Sequence, residues 1–171
     1  MQVKLSFTAL AISVLASLTM GSAFVPASAN LSADDKHFIA DAAQAGMTEV
    51  RLGEIAKQKA KSDATRGFAE TMMTDHRKIN ARLKVIAEKK GVEVPTTFDG
   101  EHQIVVDKFV RLHQNGFDRV YANQIVAHQR KILALFEIQS GKGDVDLQKF
   151  SKATLPVIKR HLRMAEELNA L

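Results

Sequence analysis

The chain has 171 residues, with 24 Lys and Arg against 19 Asp and Glu, no Cys, no Trp and a single Tyr. The missing Cys excludes disulfides, thiolate metal sites and thiol nucleophiles. A net charge of +5 without stacking aromatics between the charges argues against nucleic-acid binding.

The first 29 residues read as an export signal. Lys4 supplies a positive start, Leu5 to Val25 is apolar and uncharged, and Ala27-Ser28-Ala29 forms an Ala-x-Ala exit with Asn30 as the new first residue. Cleavage after Ala29 leaves residues 30–171 as one domain, expected in the periplasm, with outer-membrane association open to it. No Cys follows the apolar run to carry a lipid, and no later stretch approaches the ~20 apolar residues that span a bilayer.

Four long amphipathic segments and one short one follow. The first runs from about Ser32, an N-cap backed by Asp34 and Asp35, to Lys61. The second runs from about Asp63 to Lys90 and stops at Gly91. Only a tight turn separates these two, so they are expected side by side and antiparallel. A linker over 91–100 holds Pro95, which favours extended backbone before it. A shorter helix is expected over about 101–113, broken by Asn115-Gly116. The third long helix is expected from Asp118, read as its N-cap, to Gln139. The fourth spans about 145–169, with Pro156 inside it expected to kink the helix and free the Lys152 carbonyl. The pattern predicts an all-α antiparallel four-helix bundle with a short extra helix before the third long one.

Spacings of three and four place one apolar stripe on each long helix. The stripes are Phe38, Ala42, Ala45, Leu52 and Ala56; Ala69, Met72, Ile79, Leu83 and Ile86; Tyr121, Ile125, Ile132 and Leu135; and Leu147, Phe150, Val157, Met164 and Leu168. Each is interrupted near its middle by one ionisable residue: Glu49, His76, His128 and His161. Counted from the turns, Glu49 and His76 should be level, whereas His128 and His161 differ by about 7 Å at ~1.5 Å rise per residue.

Buried ionisable groups must satisfy one another or share a ligand, because an unpaired buried charge costs several kcal/mol. One carboxylate and three imidazoles suit a single zinc, iron, manganese or copper ion. They equally suit a hydrogen-bonded polar layer without metal, and both readings stand. Asp75 and Tyr121 lie where they would orient or supplement the cluster, although Asp75 can also pair with Arg82 on the surface and Tyr121 can also be a plain core residue. His37, His102 and His113 read as surface residues. Residues 57–90 hold ten Lys or Arg against four Asp or Glu, a basic hairpin suited to an anionic envelope surface or to plain solvation. No Ser nucleophile, phosphate loop or second inward carboxylate accompanies the cluster, so an enzyme is the weakest reading.

Several runs together resemble the exported bacterial family called domain of unknown function 4142. They are Phe38 to Ala43, Gly46 to Gly53, Phe68 to His76, Phe117 to Tyr121, and Leu155-Pro156 with His161. The resemblance covers about residues 33–170 and implies a ferritin-like bundle of the periplasm or outer membrane. Ferritin-like di-iron sites use Glu-x-x-His on two helices. Here Met73, Ile125 and Ile158 stand three residues before His76, His128 and His161, so a ferroxidase or iron store is not expected.

Overall fold

The structure, a computed structural model, describes residues 31–170. The expected signal segment, its cleavage site and Asn30 lie outside the described residues. Five helices make up the described chain: α1 (Ala33–Lys59), α2 (Asp63–Lys89), α3 (Gly100–Arg111), α4 (Phe117–Gly141) and α5 (Val145–Asn169). They form a helical bundle in which α1 packs mainly on α2 and α4 on α5, with α1 also meeting α4, α2 meeting α5, and α3 lying on α1. No helix among the described residues is long and apolar enough to cross a membrane.

The Ser32 cap stands where the sequence placed it, and three further polar residues cap other helices. Ser32, Ser62, Asp99 and Asp144 each accept a hydrogen bond from a backbone N–H of the first turn of α1, α2, α3 and α5. Asp118, read as the N-cap of the third long helix, is not one. That helix begins at Phe117 behind Gly116, without a side-chain cap. The Asp118 carboxylate instead accepts from the backbone N–H groups of Lys61 and Ser62, at 3.1–3.3 Å, in the turn between α1 and α2. A helix-start carboxylate was therefore captured by a neighbouring turn whose own donors lacked partners. α5 runs unbroken through Pro156.

Two tertiary anchors were not legible. Asp35 is buried and accepts from Ser32 Oγ at 2.7 Å, Gln139 Nε2 at 2.8 Å and the Asp144 N–H at 3.0 Å, tying the start of α1 to the turn between α4 and α5. Burial pushes its carboxyl up, but these hydrogen bonds outweigh that and leave it below the usual range. Gly143 sits at φ 82°, and a Cβ there would strike the Asp35 carboxylate. At the other anchor, Lys90 bonds Asp144 and Asp146, each at 2.8 Å, clamping the end of α2 to the start of α5.

The core divides into two apolar clusters. One is built around Phe38, Leu83, Phe136, Phe150 and Ile158, the other around Leu52, Met72, Phe109, Phe117, Tyr121 and Ala165. Along α1 the boundary falls between Ala45 and Leu52, along α2 between Met72 and Ile79, along α4 between Ile125 and Ile132, and along α5 between Ile158 and Ala165. Each of the four ionisable residues picked from the sequence falls within its helix's boundary interval.

A candidate buried polar layer and its outer flank

Glu49, at the middle of α1, is fully buried. Its Oε1 accepts from His128 Nδ1–H at 2.8 Å and from Gln129 Nε2–H at 3.2 Å, both on α4. The same Gln129 amide nitrogen lies 3.3 Å from Nε2 of His76, which accepts its second hydrogen. One amide thus links the carboxylate of α1 to the imidazole of α2. The His76 and His161 rings stand 5.3 Å apart, and His161 Nε2–H donates to Asp75 Oδ2 at 3.0 Å. Arg160 donates to that same oxygen at 2.6 Å.

The layer is therefore assembled differently from the simplest sequence reading. Glu49 bonds His128 and reaches His76 only through Gln129. Asp75 points at His161 and Arg160 rather than at Arg82, whose guanidinium lies 5.7 Å over the Phe150 ring. α4 and α5 end and begin at Gly141 and Val145, which centres their turn on Gly143. His128 and His161 are then fifteen and eighteen residues from it, an offset of about 4.5 Å. His161 accordingly meets the α2 side of the layer and His128 the α1 side.

Gln129 was missed because the inward stripe of α4 is rotated by one residue. Phe117, Tyr121, Ala122, Ile125, Gln129, Ile132, Phe136 and Gln139 are its buried positions, and the His128 side chain keeps 11% exposure at the edge. A buried amide carries no charge to draw attention in a sequence, although the spacing from Tyr121, Ile125 and Ile132 does place Gln129 near the stripe. On α5 the buried residue is likewise Ile158 rather than Val157. His37 and His113 are exposed, as expected of surface residues, but His102 is only 19% exposed in its side chain.

Charge states follow from the geometry. Burial would raise the Glu49 carboxyl, but the His128 hydrogen bond and the neighbouring imidazoles outweigh it and hold the acid below the usual range. Burial drives His76 down to about 4, the attraction of Glu49 being too weak to compensate. His161 is lowered by burial too, partly offset by its Asp75 bond. Asp75 shows a net lowering, since the His161 and Arg160 interactions exceed the effect of burial. Near neutral pH the layer therefore holds ionised Glu49 and Asp75 with neutral His76 and His161.

Several buried polar atoms in and around the layer have no hydrogen-bond partner: Glu49 Oε2, His76 Nδ1, His161 Nδ1, Gln129 Oε1 and the Tyr121 hydroxyl. Tyr121 is packed by Phe68, Phe109 and Phe117, and burial ahead of the nearby Glu49 charge pushes its hydroxyl well above the usual range. A cavity of about 10 Å³ borders His76, Ile132, Thr154 and Ile158, roughly the space of one water molecule. Among the described residues no group of three or more His, Asp or Glu is arranged to hold a metal ion. A di-iron centre does not fit, because Glu49 is the only fully buried carboxylate of the layer.

On the outer flank, Gln44 of α1 holds the linker before α3 by donating to the Thr97 carbonyl at 2.9 Å and accepting from the Asp99 N–H at 3.2 Å. This sets the first turn of α3 beside His128, with the His102 and His128 rings 6.1 Å apart.

The family model described as "Domain of unknown function (DUF4142)" matches residues 21–168. The crystal structure of a DUF305 fragment from Deinococcus radiodurans is similar with a TM-score of 0.72 at 12% identity, over 82% of this chain and 99% of that chain. At that identity the likeness shows the fold alone. No curated protein matches the chain in sequence.

Proposed function

The chain belongs to the DUF4142 family, and we propose that it is an exported, non-enzymatic helical-bundle protein of the cell envelope whose buried polar layer fixes helix register and whose basic outer face is its contact surface. In this reading the long helices form an antiparallel four-helix core of ferritin-like layout, resident in the periplasm and able to associate with the outer membrane. The observation that carries it is the run of hydrogen bonds that links α1, α4, α2 and α5 at the layer. Glu49 is matched by His128 and Gln129, and Asp75 by His161 and Arg160, leaving space on the scale of one water. Hydrogen bonds made between helices in an apolar core penalise any sliding of one helix past another.

The contact surface is narrower than the whole basic hairpin. Of its ten cations, Lys57, Arg66, Arg77, Lys84 and Lys90 are ion-paired. Exposed Lys78, Arg82 and Lys89 of α2, with Lys149 and Lys152 of α5, make no ion pair among the described residues. Sedimentation with vesicles tests this. Binding to vesicles containing anionic lipid, weakened by high salt and by replacing Lys78, Arg82 and Lys149 with Ala, is expected. Equal binding to neutral vesicles, or indifference to salt, would refute the electrostatic contact.

A second reading, one zinc, iron, manganese or copper ion held by Glu49, His76, His128 and His161, is favoured by the unpartnered Glu49 Oε2, His76 Nδ1 and His161 Nδ1. It predicts stoichiometric metal in protein purified without chelators and its loss in His76→Ala. Metal-free protein under those conditions ends it.

A further inference from the structure

We infer that His102 and His128 form a separate, solvent-reached site for one divalent transition-metal ion, copper(II) above zinc(II), on the outer flank of the bundle. The two rings are prepared alike. Asp99 Oδ1 takes the Nδ1–H of His102 at 2.8 Å and also caps α3 through the His102 backbone N–H at 2.9 Å. Glu49 Oε1 takes the Nδ1–H of His128 at 2.8 Å. Both acids are held below the usual carboxylate range, Asp99 first by its two hydrogen bonds from His102, so each ring nitrogen facing them is the donor. In its neutral form each imidazole is thereby fixed in the tautomer whose Nε2 carries the lone pair. A carboxylate bonded behind an imidazole is the arrangement that orients metal-ligating histidines and raises their basicity.

Neither Nε2 makes a hydrogen bond to the described residues. Both rings line one open cleft of about 420 Å³, together with Asp41, Glu101 and Gln124. With metal–nitrogen bonds of about 2.0–2.1 Å and a ring radius of about 1.1 Å, two imidazoles on one ion stand at most ~6.4 Å apart, centre to centre. The observed 6.1 Å lies inside that limit. A tetrahedral ion needs ~5 Å, a closure of about 1 Å at the first turn of α3. No third His, Asp or Glu is in place among the described residues, so water completes the shell. Two imidazoles with water favour copper(II) over zinc(II) by the usual order of divalent affinities.

The site differs from the core reading above in using His102 and in leaving His76 and His161 out. The test titrates untagged protein with copper(II) chloride in a non-coordinating buffer and records bound metal and the EPR spectrum. One equivalent coupled to two imidazole nitrogens is expected. His102→Asn should remove one nitrogen and weaken binding at least tenfold. Asp99→Asn, which keeps a good N-cap, should weaken it about tenfold through the lost charge behind the ring. His76→Gln should leave both readouts unchanged, with circular dichroism checking that each variant is folded. Copper binding that survives intact in His102→Asn, or that disappears in His76→Gln alone, would overturn the inference, the latter assigning the metal to the core.

Discussion

Glu49 shows what a single residue controls. Its Oε1 is the acceptor for two donors of α4. Glu49→Ala leaves His128 and Gln129 without their acceptor and opens a cavity, an expected loss of about 3–5 kcal/mol in urea unfolding. Glu49→Gln keeps the shape and one acceptor oxygen and should cost clearly less. The position of Glu49 was legible because a charged residue in an otherwise apolar stripe has few explanations. Its partner was not. Whether a carboxylate turns to His76 or to His128 depends on side-chain rotation and on an uncharged amide, Gln129, that helix periodicity alone does not single out.

At the scale of elements, helix existence was readable from periodicity, whereas helix starts depended on which neighbour took the capping group. Asp118 is the clearest case, since its carboxylate serves the turn at Lys61 and Ser62. Asp118→Ala should therefore destabilise by about 1–2 kcal/mol, and hydrogen exchange should report the change as faster exchange at the start of α2 rather than within α4. Pro156 is exposed on α5 and lacks the N–H that would bond the Lys152 carbonyl. Pro156→Ala restores that bond without disturbing the core, and a melting temperature raised by a few degrees is expected. Gly53 lets α1 approach α2 closely. A Cβ there would meet the Met73 side chain and approach the Ala69 carbonyl at 3.1 Å.

For the whole molecule, the layer makes stability depend on pH in one direction. The unfolded chain protonates His76 near 6.5, and the folded chain only at about 4. Between those values the unfolded state binds more protons, so stability falls as the pH drops through that window. His161 acts with the same sign, and the lowered Glu49 and Asp75 carboxyls extend the loss further into acid. For His76 alone the shift corresponds to roughly 3 kcal/mol. Urea midpoints should decline from pH 7.5 to pH 4.5, and His76→Gln should flatten the decline. The composition announced a cysteine-free core, and the stripes announced a helical chain with a polar middle. Asp35 and Gln44, which hold the ends and the linker in place, were hidden because their partners lie 104 and 53 residues away. The position of Tyr121 has a practical result. It is the only tyrosine in a chain without tryptophan, and it is fully buried beside Glu49. The ultraviolet emission of this protein excited near the tyrosine band thus comes from one ring in the middle of the bundle, so a fluorimeter watches the interior without any label.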